Sequence, residues 1–509
     1  MKVYDTSEVD LDSLPQREVD YIYNGLDCLI THELVDRLRP KLDKHTSQIH
    51  DFTFALQAIC VDMSVRGILI NPAARARIIK DTRNRLDEAL ANLNELAIAF
   101  WGKPLNPKSP KQCGEFFYDF LKLPPVYAKG RKKPTTDDKA LEKFKIYFYA
   151  KPFVSLIKTC RDLKKKLEAL EARISPDGRM RGSFKATGTE TGRFSSSKNV
   201  FNEGLNLQNQ NEYAKRMYVA DPGYKLAYID LEQAESRMLA AFIYALFGDS
   251  AYLDACESGD LHTTVCKMIW PELDWPNDNG KGDRAIADLP FYRHFSHRDM
   301  SKRGGHGTNY YGKAAHMASQ LNVDTILMQN FQENYFRAFP GIPEYHEWII
   351  RTLQTSRTLI NPFGRKRIFF GRPGDDATIR EAIAYMPQSS IGDLMNLGMW
   401  KAWHKYGHQQ VQFLAQVHDA ILVQYKEELE DEIIPLLLAL LPHPLKARDR
   451  EVIIPCTADV GWNWSKHDPK KKLWADTNPD GLMEYNGHDN RQRTEVIEAK
   501  ANLLDGIFL

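Results

Sequence analysis

Two aspartates pose the chemical question. Asp230 closes the short apolar run Lys225-Leu226-Ala227-Tyr228-Ile229, entered from Pro222-Gly223, which reads as a buried strand. Met238 to Ile243 beyond it is rich in helix formers. Asp230 therefore falls at a strand end and Glu235 in the first turn of a helix. The plain reading of such an Asp is a helix N-cap. A second stretch, Gln416-Val417-His418-Asp419-Ala420-Ile421-Leu422-Val423, argues otherwise. It reads as strand, tight turn, strand, with His418-Asp419 at the tip. Two carboxylates on two strands of one sheet can share a pair of divalent ions.

Arg298, Lys302, His306 and Tyr310 recur every four residues, so on a helix they share one face. Two cations followed by two rings suit a nucleoside triphosphate, the cations meeting phosphates and a ring meeting the base. Gly304, Gly305 and Gly307 interrupt the stretch, each costing about 1 kcal/mol against Ala in a helix. The spacing alone does not establish a helix there. Thr191 to Ser197 and Asn206-Leu207-Gln208-Asn209 are polar and rich in donors. They read as surface loop, or as contacts to sugar edges and phosphates. A long helix is expected from Thr378 to His404, with Arg380 and Gln388 on one face and a kink at Pro387.

The elements around these residues divide unevenly. The chain of 509 residues has room for about three domains. Residues 1–50 hold one expected helix, Val19 to Leu38, with Tyr23 and Asp27 on one face. Helices are expected on both sides of a break at 66–72, then over Gln112–Leu121, Lys139–Tyr149 and Phe153–Ala172. Between Trp101 and Lys185 lie 21 Lys and Arg against 9 Asp and Glu. This elongated helical region with a basic tip suits a polyanion backbone, unless its charges are simply solvated. A strand is expected at Arg181–Thr187, a helix starting near Gly259, an exposed loop over 271–290 and a hairpin over Ile360–Phe370. A helix at Glu428–Leu441 and a last strand at Val452–Gly461 follow. Residues 466–509 turn polar.

Several function classes are excluded by composition. No run of 18 apolar residues suggests a membrane span. Residues 1–5 show neither a signal-peptide core nor an Arg-rich leader. Seven cysteines without a Cys-x-x-Cys pair argue against a disulfide framework or zinc site. A reducing cytoplasm is the expected compartment.

The order of the pieces resembles the successive motifs of family A DNA polymerases, the DNA polymerase I type. The match is carried by Thr191-Gly192-Arg193-Phe194-Ser195-Ser196, Asp230 to Arg237, Arg298 to Gly312, Arg380 to Gln388 and Gln416 to Asp419. Asn106 to Gln112 and Lys133-Pro134-Thr135-Thr136-Asp137 resemble phrases of the helical domain. The likeness covers about residues 50 to 465 and is greatest to phage replicative members. It implies an α+β right-hand fold with a helical thumb, antiparallel-sheet palm and helical fingers. The expected division is an exonuclease-type remnant at 1–50, thumb at 51–190 and palm at 191–236. Fingers follow at 237–345, a second part of the palm at 346–465 and a C-terminal extension at 466–509.

By the same resemblance, Asp230 and Asp419 match the metal-binding carboxylates, with the Leu231 carbonyl a further ligand to two Mg²⁺, for which Mn²⁺ can substitute. Glu235 matches the residue that blocks a 2′-hydroxyl, and Tyr310 the ring beside it. Arg298, Lys302, His306, Gln233 and His262 match triphosphate contacts. Arg193, Asn206, Gln208, Arg380, Gln388 and His418 are expected along the primer–template. The implied partners are primer–template DNA and deoxynucleoside triphosphates; residues 1–50 either dock a separate exonuclease or processivity subunit or are the relic of a lost domain, repacked locally. Three departures stand out. Ala420 replaces a second carboxylate, and His306 replaces Phe or Tyr. Tyr23 and Asp27 match the last motif of a proofreading domain whose other carboxylates are not in the chain, so self-contained 3′–5′ proofreading is not expected. A single-subunit RNA polymerase shares the two Asp and the Lys/Tyr helix, but Glu235 leaves no room for a 2′-hydroxyl. A non-catalytic DNA-binding subunit would not need Asp230, Asp419, Arg298 and Lys302 together.

Overall fold

The computed structural model describes residues 10–128, 130, 132–199, 202–276, 280, 282–293, 295–407, 410–467 and 478–486. Its helices begin with α1 (Gln16–Leu38), α2 (Lys44–Arg66), α3 (Pro72–Trp101), α4 (Asp138–Phe144) and α5 (Lys151–Leu170). They continue with α6 (Ala234–Phe247), α7 (Leu261–Ile269), α8 (His297–Asn309), α9 (Thr325–Ala338), α10 (Asp376–Tyr406) and α11 (Glu430–Leu440). The strands used below are β1 (Ile68–Ile70), β2 (Arg179–Met180), β3 (Tyr218–Val219), β4 (Tyr224–Leu231), β5 (Val411–Val417), β6 (Ala420–Lys426), β7 (Cys456–Gly461) and β8 (Met483–Glu484).

The central sheet has the order β5-β6-β4-β7-β8, antiparallel throughout. Antiparallel sheets commonly bury one face and leave the other open. Along β4, Ala227, Ile229 and Leu231 are buried, whereas Tyr228 is half-buried and Asp230 exposed. β7 repeats the pattern, with Cys456, Ala458 and Val460 buried and Thr457 and Asp459 less so. Helices α2, α10 and α11 pack against this sheet, and α2 adds Leu56, Ile59, Cys60 and Met63 to its core. A second core lies apart, where Leu86, Leu93 and Ala97 of α3 meet Phe116, Phe117, Leu141 and Phe144, and Phe153, Val154 and Ile157 of α5. Among the described residues no helix is long and apolar enough to cross a membrane.

Several expected elements differ. The break at 66–72 contains β1, paired on one side with β2 and on the other with β3. Three residues are too few to show a two-residue period. Gly67, at φ 64°, turns the chain straight from α2 into this strand, where a Cβ would sit 2.8 Å from the Met180 carbonyl oxygen. The single last strand is two: Arg450–Val452 pairs with Leu445–Ala447, and β7 begins only after Pro455. Proline has no N–H for a ladder, but its carbonyl accepts from the Glu232 amide at 2.8 Å. The expected loop at 271–290 contains a short helix, Asp283–Ala287, and the start of a strand at Pro290. The helix expected over Gln112–Leu121 is an α turn to Gly114 followed by a wider π turn. The one expected over Lys139–Tyr149 stops at Phe144. Part of the polar stretch 466–509 supplies the edge strand β8; residues 468–477 and 487–509 lie outside the described residues.

Candidate active site

Register places the acidic pair. Ala420 stands opposite Asp230, and Ala420 is the residue after Asp419. The β5–β6 turn is two residues long, His418 and Asp419, with His418 at φ 59°. Such short turns need positive φ to match the twist of the strands. The Leu231 amide donates to the Asp419 carbonyl at 3.2 Å, tying the two acidic positions through backbone. Asp230 is not a helix cap: α6 starts at Ala234, and its cap position is Gln233, in a left-handed conformation. Asp230 reaches solvent at the open face of the sheet, but the protein packed around it still partly desolvates its carboxyl; that first, and then the charge of Asp419, push it up to about 7. The Asp419 carboxyl is raised too, chiefly by burial. Two such oxygen donors, desolvated and mutually repelled, fit a hard divalent cation, which favours the charged form of both. Among the described residues no three His, Cys, Asp or Glu side chains gather into a metal cage.

Across an open cleft of about 480 Å³ stands α8. The cleft is lined by Asp230, Leu231, Gln233, Glu235 and Asp419 on one side and His262, Lys302 and His306 on the other. The helix that the glycines left in doubt does form. Ser296 and Asp299 close a capping box at its start, a device that satisfies two end donors at once. Two of its glycines face α9: a Cβ on Gly304 would lie 2.7 Å from the Phe331 ring, and one on Gly305 3.1 Å from Tyr335. Tyr310 follows the helix end and donates to Glu235 Oε2 at 2.5 Å, while Arg193 Nη2 donates to Oε1 at 3.0 Å. His306 and Tyr310 meet edge to face, with ring centroids 5.0 Å apart. Burial, then the charges of Arg298 and Lys302, push the His262 imidazole down to about 4, so it faces the cleft neutral.

A family model described as DNA polymerase family A matches residues 76–466. The chain belongs to DNA polymerase family A. It is 26% identical to DNA polymerase I of Chloroflexus aurantiacus over 88% of its length and 46% of the relative's. With the thermostable DNA polymerase I of Thermus filiformis it shares 27% over 86% of this chain and 50% of that one. The chain thus spans about half the length of the curated relatives it matches. Its fold resembles the POL domain of Pol1 from M. smegmatis, solved as a complex with DNA primer-template and dNTP, at a TM-score of 0.64 and 23% identity. That likeness covers 81% of this chain and 70% of the other. The right-hand α+β architecture inferred from the motifs is the observed one.

Other expected site residues of this family member are not among those that line the cleft. Arg298 points Nε and Nη2 at Asp260, both at 2.9 Å. Gln208 turns its amide inward, donating to the carbonyls of Phe194 at 2.9 Å and Gln416 at 3.0 Å. Asn206 caps the turn after it by accepting from the Gln208 amide. Arg380 and His418 are exposed and Gln388 is half-buried. Asp260 was missed by sequence reasoning. It is the cap of α7, accepting from the Thr263 amide, and it gathers Arg284 as well as Arg298. The signal available was an Asp placed before a helix start, and a cap explains that without any partner 38 residues on.

Proposed function

We propose that this polypeptide performs template-directed DNA synthesis, adding deoxynucleotides to a primer 3′-hydroxyl with Mg²⁺, and with Mn²⁺ as a substitute. The observation that carries the reading is the pairing of Ala420 with Asp230, which brings Asp230 and Asp419 together opposite Lys302 and His306. Family membership and the motif order support it. The motif pattern also suggests a replicative role in a phage.

In the reaction proposed, the primer hydroxyl attacks the α-phosphorus in line. Divalent ions, when bound, would supply positive charge to the attacking and leaving oxygens. Asp230 and Asp419, with the Leu231 carbonyl, would hold them. Lys302 and Arg298 orient the triphosphate and offset charge on the departing pyrophosphate. Arg298 must for this purpose share or leave Asp260. Gln233 and the neutral His262 add polar contacts. His306 offers its ring face to the base. Glu235, held from two sides by Tyr310 and Arg193, occupies the sugar edge and excludes a 2′-hydroxyl. Arg193, Asn206, Gln208, Arg380, Gln388 and His418 line the path of the duplex. Minor-groove acceptors occur in every base pair, so donors there check shape without reading sequence.

A separate exonuclease or processivity subunit remains part of the proposal. Its support is α1, which buries no side chain and exposes Tyr21, Leu29, Ile30 and Leu34 along with Tyr23. A nuclease that copurifies and is lost on deleting residues 1–50 tests that part. For the main reading, primer extension is run with deoxy- and ribonucleotides in parallel, with and without Mg²⁺. Metal-dependent, template-matched deoxynucleotide addition is the expected result. Efficient ribonucleotide addition, or binding without extension, refutes it.

A further inference from the structure

On the open face of the sheet, the strand beside Asp230 carries another carboxylate that is already paired. Thr457 of β7 stands opposite Asp230, and Asp459 opposite Tyr228. Cross-strand partners project to the same face, so Asp459 sits diagonally from Asp230, about 7–8 Å away at the usual spacing. On the other flank Asp230 faces Ala420, which has no charge. Asp459 Oδ2 holds the ammonium of Lys466 at 2.9 Å. The backbone of Lys466 is pinned: its amide donates to Glu212 Oε1 at 2.6 Å, and it bridges to Leu482. Lys215, paired with Glu212, covers the Tyr228 ring from the same side. After burial and Asp419, the charges that act most on the Asp230 carboxyl are those of Lys466 and Asp459, in opposite senses.

We propose that the Asp459–Lys466 pair sets how tightly Asp230 and Asp419 take a divalent ion. Lys466 neutralises a carboxylate that would otherwise add to the field at the ion, while Ala420 on the opposite flank contributes none. The inference rests on the reading that the two aspartates hold the ion. The pair lies within about one Debye length of Asp230 at physiological salt, so its charges are felt there. Lys466 is 61% exposed, and exposed ion pairs contribute little to folding. Charge changes at the pair should therefore alter ion affinity and leave stability nearly unchanged.

The two partners must act in opposite directions. Lys466→Met leaves Asp459 unpaired and strengthens binding. Asp459→Asn leaves Lys466 unpaired and weakens it. A unit charge about 7–8 Å from a divalent ion in water shifts affinity about sixfold unscreened and about twofold at physiological salt. The test is a titration of the whole chain with Mn²⁺, read as the loss of the free-ion electron paramagnetic resonance signal. The half-saturating Mn²⁺ for primer extension is measured beside it. The expected result is tighter binding in Lys466→Met, weaker in Asp459→Asn, and near wild-type values in the double variant and in Lys466→Arg. Equal values in all four variants, or shifts of one sign in both single variants, overturn the proposal. Asp230→Asn separates this from the reading beneath it: Mn²⁺ binding that survives Asp230→Asn removes the aspartates from the ion, whatever Lys466 does.

Discussion

On the sheet side of the cleft, position is fixed by backbone hydrogen bonds. Asp230 and Asp419 lie on neighbouring strands, and a slip of one residue in the β4–β6 register would turn Asp230 to the buried face. On the helix side, position is fixed by side-chain packing. Helix α8 presents Lys302 and His306 to the cleft only because Gly304 and Gly305 let it settle against Phe331 and Tyr335. Arg298, on the same helix, is held by Asp260 of α7. The difference teaches where each wall can move. A ladder shifts in whole registers or not at all, whereas a helix resting on rings and ion pairs can tilt and exchange partners. The acidic wall is suited to hold ions still, and the basic wall to close on a substrate.

The strongest break in this comparison comes on the acidic side. Asp230→Asn and Asp419→Asn should each cut primer extension by about a thousandfold, roughly 4 kcal/mol of barrier, while DNA binding stays nearly intact. Single-turnover rates and a filter-binding isotherm check this. More than about a tenth of wild-type rate in both variants would remove them from the chemistry. Where the two walls meet, Glu235→Ala should raise the ribo/deoxy ratio of catalytic efficiency about tenfold or more, or ~1.4 kcal/mol, and slow deoxynucleotide addition as well. The role proposed for Glu235 is exclusion, so an unchanged ratio would end that assignment.

The basic wall is tested by packing. Ala is the better helix former by about 1 kcal/mol, yet Gly304→Ala should destabilise by about 1–3 kcal/mol through overpacking on Phe331. Chemical denaturation decides it, and a stabilised variant would mean that α8 does not need the close approach. His306→Phe should change discrimination against dideoxynucleotides by only a few fold, about 0.5–1 kcal/mol, because the ring keeps its edge contact with Tyr310 and loses a donor. Identical discrimination would reduce His306 to a space filler.

One further effect concerns acid stability. Burial pushes the imidazole of His346 down to about 4 from 6.5, and its Nε2 lies 2.9 Å from the Asn309 carbonyl at the end of α8. Between pH 6.5 and 4 the unfolded chain binds the proton that the folded chain refuses. Stability therefore rises with pH across that window, and this contribution is lost as pH falls through it. His346→Asn should flatten the slope of melting temperature there; an unchanged slope would place the acid sensitivity elsewhere.

The sequence was most legible where local rules suffice. Asp230 and Asp419 could be placed because a short apolar run and a two-residue turn announce strands, and the hairpin and long helix around Arg380 and Gln388 formed as expected. Local rules failed where the partner is distant. The glycines of α8 count against a helix until Phe331 and Tyr335 are known to lie beneath them. Asp260 reads as a cap until Arg298 arrives beside it. Strand β1 is too short to show a period, and the polar stretch after residue 466 carries no sign that Met483 and Glu484 extend the sheet. Each miss is an effect of tertiary contact on a segment whose local preference was weak or opposite.

The central claim is that Asp230 and Asp419 jointly hold the ions of phosphoryl transfer. It is tested most directly by a crystal structure with primer–template, a non-hydrolysable deoxynucleoside triphosphate and Mn²⁺, read by anomalous scattering. The account predicts two peaks about 3.5–4 Å apart, each bound by Asp230 or Asp419 and by triphosphate oxygens, with Lys302 on the phosphates. Ions bound away from both aspartates, or a triphosphate seated outside the cleft between Asp230 and α8, would contradict it.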